Sequence, residues 1–275
     1  MAALLALVAA LLWGLGAFLG GQASRRAALI PVLAVELLVG TIVIIPLAFL
    51  TAHRFAWVDL LIGGAAGFFG LLGVTFLYRG LRGPMAAVAP VAGVVSASLP
   101  LLWGVGFGER LSAWQIYGVI LGLMSIVLIS DTGRALHRIS LGPLVNGVLA
   151  GAGFGVGYIV LDATDPLTAP WPILGARLLP AFAVCAVAFT AHQPPSAVGP
   201  ARLWSVGAGI STVLASVAFL AAINRGLLST SSVLSCLHPA VTVLLARLFL
   251  RERISPSQAT GLTVAVAAIS MITAG

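Results

Sequence analysis

The sequence alternates between long apolar runs and short polar connections. Ten apolar runs of about 20 residues, the length that a bilayer-spanning helix needs, account for most of the 275 residues. The runs are continuous rather than alternating, which favours helices over the strands of a membrane barrel. The pattern predicts an all-α integral membrane protein with ten transmembrane helices, at residues 2–21, 29–51, 57–78, 84–107, 112–130, 142–162, 170–191, 203–223, 229–250 and 256–274.

The composition supports this class and excludes several others. Apolar residues make up 60% of the chain and charged residues only 8%, against roughly a quarter in ordinary soluble domains. The net charge of +7 comes from arginines that stand singly or in pairs between apolar runs, so we expect no nucleic-acid partner. The two cysteines lie inside apolar runs and indicate neither a disulfide framework nor a metal site.

Short motifs recur in the two halves of the chain. Arg79-Gly80-Leu81 recurs as Arg225-Gly226-Leu227, and Glu109-Arg110-Leu111-Ser112 recurs as Glu252-Arg253-Ile254-Ser255. Each half holds five predicted spans, an odd number, so the second half enters the membrane from the opposite side. We therefore predict two inverted five-helix repeats, residues 1–131 and residues 141–275, with a connecting loop at residues 132–140.

This arrangement resembles the EamA-type exporters of the drug/metabolite transporter superfamily, which include amino-acid exporters. The resemblance rests on the ten-span inverted repeat, on Trp13-Gly14 in the first span, and on the Glu-Arg-x-Ser motifs before the fifth and tenth spans. It implies a central cavity lined by spans 1, 3, 4, 6, 8 and 9, with spans 5 and 10 at the side.

Aromatic side chains that carry a polar group fall in spans that the resemblance places at the cavity. Such side chains suit a substrate with an apolar body. Two of them, Tyr78 and Trp103, stand near predicted span ends, where an interfacial aromatic belt is the alternative interpretation. The substrate-binding candidates of this group are Trp13, Tyr78, Trp103 and Tyr158, with Asn224 as the repeat counterpart of Tyr78.

The ninth span carries a polar stripe. Ser231, Ser235, His238 and Thr242 share one helical face, and we expect this face to meet protein or a wet cavity rather than lipid. The first three are further substrate-binding candidates. The alternative is that the hydroxyls bond their own helix backbone. Pro239 predicts a bend beside His238, which favours a gate or proton site there, although a packed histidine is equally consistent.

Two ionisable residues lie inside spans at equivalent positions of the two halves. Glu36 is in the second span and Arg177 in the seventh, and a charge at such depth is costly unless it is paired or wet. They are candidates for a coupling carboxylate and a substrate counter-ion, with helix-end anchoring or structural pairing as the alternative. The glutamates of the repeated motifs are predicted to form solvated pairs with the arginines that follow them.

These observations favour a secondary transporter in the cell (inner) membrane. The first hypothesis is an exporter of small metabolites such as amino acids, working by alternating access. Multidrug efflux of amphipathic compounds is the alternative, and a non-transporting membrane enzyme or scaffold comes third because no catalytic or nucleotide-binding motif is present. We expect a small-molecule substrate, the lipid bilayer as surroundings, no cofactor, and a monomer or homodimer. Proton antiport and facilitated diffusion both remain open.

The orientation in the membrane has two conflicting predictions. The loops that follow odd-numbered spans are rich in arginine, and the positive-inside rule therefore places both termini outside. The resemblance implies the reverse, with both termini in the cytoplasm. The Arg-rich loops hold or adjoin Arg25, Arg26, Arg79, Arg82, Arg134, Arg138, Arg202, Arg247, Arg251 and Arg253, and the opposite loops hold Arg54, Arg110 and Arg225.

Overall fold

The apolar runs form helices in the computed structural model of the protein. It describes residues 1–81, 85–130, 141–251 and 253–275, and the side chains at positions 78–81, 85–90 and 143 lie outside this description. The helices are α1 (Ala2–Ser24), α2 (Leu29–Thr51), α3 (Trp57–Leu81), α4 (Met85–Gly106), α5 (Ala113–Ile129), α6 (Leu141–Asp162), α7 (Trp171–Thr190), α8 (Arg202–Ile223), α9 (Leu228–Ser235), α10 (His238–Leu250) and α11 (Pro256–Ala274). Short 3₁₀ turns at Pro166–Thr168 and Pro195–Ala201 join α6 to α7 and α7 to α8.

The all-helical prediction is confirmed for the described chain, where no strand forms. Eight stretches there are long and apolar enough to cross a membrane, with α9 and α10 counted together as one stretch. Two apolar helices, Val91–Gly106 and Ala113–Ile129, are shorter. The count of ten spans therefore stays a prediction for these two.

Most contacts between helices of the two halves come in equivalent pairs. The first helix of each half packs on the third helix of the other half, α1 on α8 and α6 on α3. The second helices α2 and α7 pack on each other, and the last helices α5 and α11 form a pair of their own. This pattern is the one that a twofold relation between the halves produces, and it leaves α5 and α11 at the side.

The repeated Glu-Arg-x-Ser motif has a local structural explanation. Ser112 is the N-cap of α5 and Ser255 is the N-cap of α11, and each forms a capping box with the glutamine three residues later. In each box the serine hydroxyl accepts from the glutamine backbone N–H at 3.2 Å, and the glutamine side chain accepts from the serine N–H. These bonds satisfy backbone donors that a helix N-terminus leaves free, so this part of the motif serves folding.

Glycines allow the close approach of α3 and α7. A Cβ at Gly63 would collide with the Pro172 carbonyl, and a Cβ at Gly67 would collide with the Ala176 backbone. Gly70 lies on the same helix, and a Cβ there would have nothing within 4 Å. Small residues at such crossings let helix backbones touch in membranes.

The ninth predicted span is broken into two helices. The helix α9 ends at Ser235, and α10 begins at His238 with Pro239 in its first turn. The bend that the sequence predicted beside His238 is present as this break, because Pro239 has no N–H to bond the Ser235 carbonyl and is itself tolerated in the first turn of α10. All eight residues of α9 are buried, whereas none of α10 is.

Candidate functional site

Four rings from four different helices meet at the junction of the two halves. Trp13 of α1 stacks on Tyr158 of α6, with ring centroids 5.7 Å apart and an interplanar angle of 25°. Phe219 of α8 lies 5.4 Å from Trp13 and 4.7 Å from Tyr158. The His238 ring of α10 meets Trp13 edge-on at 6.4 Å. We call Trp13, Tyr158, Phe219 and His238 the aromatic cluster.

The aromatic cluster combines one buried ring with three partly accessible rings. Phe219 is 1% exposed, while Trp13, Tyr158 and His238 keep part of their surface accessible. Trp and Tyr offer a large apolar face together with one hydrogen-bonding group. The cluster can therefore hold an apolar group and still present polar atoms to it.

A charged network lies beside the cluster. Thr212 of α8 donates its hydroxyl proton to Glu36 Oε1 of α2 at 3.2 Å. Arg177 of α7 donates from Nη1 to Thr212 Oγ1 at 3.5 Å and from Nη2 to Ser216 Oγ at 3.0 Å. Thus Glu36 and Arg177, which the sequence placed at matched positions, are linked through Thr212. We call Glu36, Arg177, Thr212 and Ser216 the charged network.

The charged network and the aromatic cluster are neighbours along two helices. On α8, Phe219 follows Ser216 by three residues, which is about one helical turn or 4.5 Å of rise. On α1, Gly16 follows Trp13 by the same interval, and a Cβ at Gly16 would lie 2.6 Å from Thr212 Cγ2. The charged network and the aromatic cluster are therefore adjacent.

The polar stripe of the ninth span mostly faces α1. Ser235 donates to the Ala6 carbonyl at 3.2 Å, and Thr242 donates to the Gly14 carbonyl at 3.1 Å. His238 Nδ1 lies 3.3 Å from the Ser235 carbonyl, and Ser231 is 2% exposed. The alternative also holds in part, because Thr242 donates to the His238 carbonyl of its own helix at 3.3 Å. Of the members of the stripe, the structure brings His238 to the aromatic cluster.

Two further sequence candidates, Trp103 and Asn224, are not members of the aromatic cluster. Trp103 is 45% exposed and stacks on Phe107 at the end of α4, with ring centroids 4.1 Å apart. Asn224 is partly buried at the C-terminus of α8. Tyr78 lies in α3, and its side chain is outside the described part of the chain. The position of Trp103 is the one expected of an interfacial belt residue.

Two features of the site were missed by sequence reasoning. Thr212 and Ser216 are four residues apart in a mostly apolar helix, a spacing that places them on one face and is a signal that the sequence does carry. The predicted pairing of Glu109 with Arg110 is wrong: the Glu109 carboxylate accepts from the backbone N–H groups of Leu228 and Ser229. Every residue except proline has a backbone N–H, so the sequence carries no signal for the contact between Glu109 and these donors. The matching prediction for Glu252 lies outside the described residues.

A separate cavity of about 550 Å³ opens at the end of α2 and the start of α3 and α7. Its wall includes the ring pairs Phe49–Trp171 and Phe55–Trp171, with centroids 4.9 and 4.8 Å apart. Nearby Arg54 forms an ion pair with Asp165 at 2.6 Å. Aromatic rings at helix ends are typical of the membrane interface, and this cavity does not touch the aromatic cluster. In the described part of the chain, no three potential metal ligands come together.

Comparisons with known proteins agree with this architecture. A solved structure described as "Crystal structure of protein" has a TM-score of 0.81 and 21% identity, covering 99% of this chain and 96% of that chain. At this identity the likeness shows the fold alone. No curated protein matches the sequence. The profile of the EamA-like transporter family matches residues 1–131 and 142–274. This multi-pass helical membrane protein therefore belongs to the EamA-like transporter family, whose members are transporters rather than enzymes.

Proposed function

We propose that the protein is a secondary transporter that exports small metabolites, amino acids first among them, across the cell (inner) membrane by alternating access. The observation that carries the proposal is the charged network lying one helical turn from the aromatic cluster. An amino acid with an apolar side chain has the three complementary parts: an ammonium group, a carboxylate and an apolar body. Both groups of residues draw on both halves of the chain, which suits a site between two moving repeats, residues 1–131 and 141–275.

Each residue of the site has a role in this proposal. The Arg177 guanidinium binds the substrate carboxylate, for which its planar geometry is well suited. Glu36 binds the ammonium group. Trp13 and Tyr158 receive the apolar side chain, and His238 borders it. Thr212, which bridges the two charges in this structure, gives up its bonds to them when substrate enters.

Efflux of amphipathic cations is the second candidate function, because the aromatic cluster would also accept a flat apolar cation. Glu36 supplies a counter-charge for such a compound. Arg177 disfavours it, since a like charge would sit within the same network. The presence of Arg177 is the reason that amino acids are placed first.

Uptake into proteoliposomes distinguishes these functions. We expect transport of neutral amino acids and competition by them, with much weaker competition from the amino alcohol that lacks the carboxylate. The R177Q variant should lose about tenfold or more of this discrimination, the usual value of one charged contact in binding. Transport of lipophilic cations with no transport of any amino acid would overturn the proposal.

Glu36 is also the candidate coupling residue. If export is driven by protons, the Glu36→Gln variant should lose the dependence of the transport rate on pH, because the amide cannot bind and release a proton. An unchanged pH–rate profile in this variant would exclude Glu36 from coupling. Facilitated diffusion requires no coupling residue, and it predicts a transport rate independent of pH in both the parent protein and the Glu36→Gln variant.

A further inference from the structure

The carboxylate of Glu109 joins the two halves of the protein. Glu109 follows α4 in the first half, whereas α9 belongs to the second half. Its Oε1 accepts from the Leu228 N–H at 2.7 Å and its Oε2 accepts from the Ser229 N–H at 3.1 Å. These are donors of the first turn of α9, which have no partner within the helix. An ionised carboxylate at a helix N-terminus is stabilised both by such bonds and by the helix dipole.

The local chain is shaped to hold Glu109 in place. Gly108 has a φ of 107°, in the region that favours glycine, and the Glu109 N–H donates to the Gly104 carbonyl at 2.8 Å. A Cβ at position 104 would collide with the Glu109 carboxylate. The Ser229 hydroxyl adds a bond to the Leu101 carbonyl at 3.3 Å. The end of α4 and the start of α9 are thus clamped together; we call these contacts the Glu109 clamp.

The Glu109 clamp lies at the end of the molecule that carries both chain termini. A Cβ on Gly226, just before α9, would lie 2.5 Å from the Ala2 Cβ. Likewise, Ser112, three residues after Glu109, lies against the C-terminal Gly275. The clamp therefore lies on one defined side of the protein, the terminal side.

Burial changes sharply along the broken ninth span. At the clamp end, α9 is buried over its whole length, whereas toward the opposite end α10 has no buried residue. Within the described residues, α4 packs along α9 far more extensively than along α10. Among the described residues, the contact between α4 and the ninth span is therefore concentrated on α9, at the terminal side.

We infer that Glu109 is a positioning residue that holds the transport pathway closed on the side of the chain termini. To open that side, the carboxylate must leave the N-terminus of α9, and α4 and α9 must separate. The inference rests on the proposed alternating-access cycle. Its test needs no substrate, so its failure can be told apart from a wrong substrate class.

Cys236 provides a natural reporter behind the clamp. It is 0% exposed at the end of α9, with its sulfur 3.6 Å from Ser96 Oγ. In a Cys185→Ala background it is the single thiol of the chain. Its modification by a membrane-impermeant methanethiosulfonate reagent, added separately to each side, then measures the opening of the clamp.

The Glu109→Ala variant should raise the rate of Cys236 modification from the terminal side about tenfold or more, the value expected for losing hydrogen bonds to a charged acceptor. Glu109→Gln keeps one acceptor oxygen and should give a smaller rise. Asp162→Asn is the matched control, because this exposed carboxylate ends α6 within electrostatic range of Glu109 but does not cap α9. In the Asp162→Asn variant, the rate of Cys236 modification should stay within about twofold of the rate in the parent protein, as expected for an exposed charge.

Comparing the rates of Cys236 modification from the two sides of the membrane distinguishes an opened clamp from a misfolded protein. Opening at the clamp predicts faster modification from the terminal side only, and no change in modification of Cys185 in a Cys236→Ala background. A parental rate in Glu109→Ala, an equal rise in Asp162→Asn, or an equal rise from both sides would each overturn the inference.

Discussion

The charged network makes a quantitative prediction about the stability of the protein. Replacing Arg177 by glutamine leaves Glu36 as an unbalanced charge in the membrane, where a charge costs about 2.5–3.5 kcal/mol on insertion scales. The reverse change, Glu36→Gln, leaves Arg177 with its two hydroxyl partners, Thr212 and Ser216. We therefore expect R177Q to destabilise the protein by about 2–3 kcal/mol and E36Q by about 1–2 kcal/mol, since charged hydrogen bonds offset part of the cost.

The double variant tests whether the two charges act together. With both charges removed, neither is left unbalanced, so the double variant should be no less stable than R177Q alone. The coupling energy between the positions should then be about 1–2 kcal/mol, within the usual range for residues in one network. Thr212→Val, which removes the bridging hydroxyl, should reduce this coupling.

Reversible unfolding in mixed micelles, followed by tryptophan fluorescence, gives the four free energies of the cycle. Each must be measured in the same lipid and detergent mixture, because the unfolded reference state changes with its surroundings. If the double variant loses the sum of the two single losses, Glu36 and Arg177 are independent, and the structural argument for a network is refuted.

Three further outcomes are expected. The Gly67→Ala variant should lose about 1–3 kcal/mol of stability because its methyl group meets the α7 backbone, whereas Gly70→Ala, with open space around it, should match the parent; equal losses would contradict the contact. Ser232 has a buried hydroxyl with no hydrogen-bond partner in the described chain, so Ser232→Ala should leave thermal stability unchanged or raised. For orientation, the charge bias predicts that a cysteine at His53 is labelled by an impermeant reagent in intact cells while one at Ser24 is protected; the reverse would support the family orientation.

The helices could be predicted from the sequence because continuous apolar runs define them. The break in the ninth span was predicted beside His238 from Pro239, and it lies directly before His238. Trp13, Tyr158 and His238 were proposed as site residues separately, and the structure brings them together. Their convergence depends on which helices are neighbours, and that information came from the family resemblance rather than from periodicity.

The contacts between charged groups could not be predicted in the same way. Glu36 and Arg177 were recognised as equivalent, but their link through Thr212 depends on the register between three helices. Glu109 was assigned to Arg110 because the two are adjacent in sequence, yet its carboxylate binds backbone N–H groups of a distant helix. Interhelical register and backbone partners arise from tertiary structure and are not encoded in local spacing.

The opposite charges at the equivalent positions of α2 and α7 also determine how the protein could be assembled from fragments. Two copies of the first half, paired as an antiparallel dimer, would bring two carboxylates of Glu36 to the axis. Two copies of the second half would bring two Arg177 guanidinium groups there, and like charges disfavour both pairings. Only the combination of one half with the other places opposite charges, Glu36 and Arg177, at these two positions. Co-expressed half-chains should therefore pair selectively with each other, so the charge difference commits the duplicated architecture to two unlike halves.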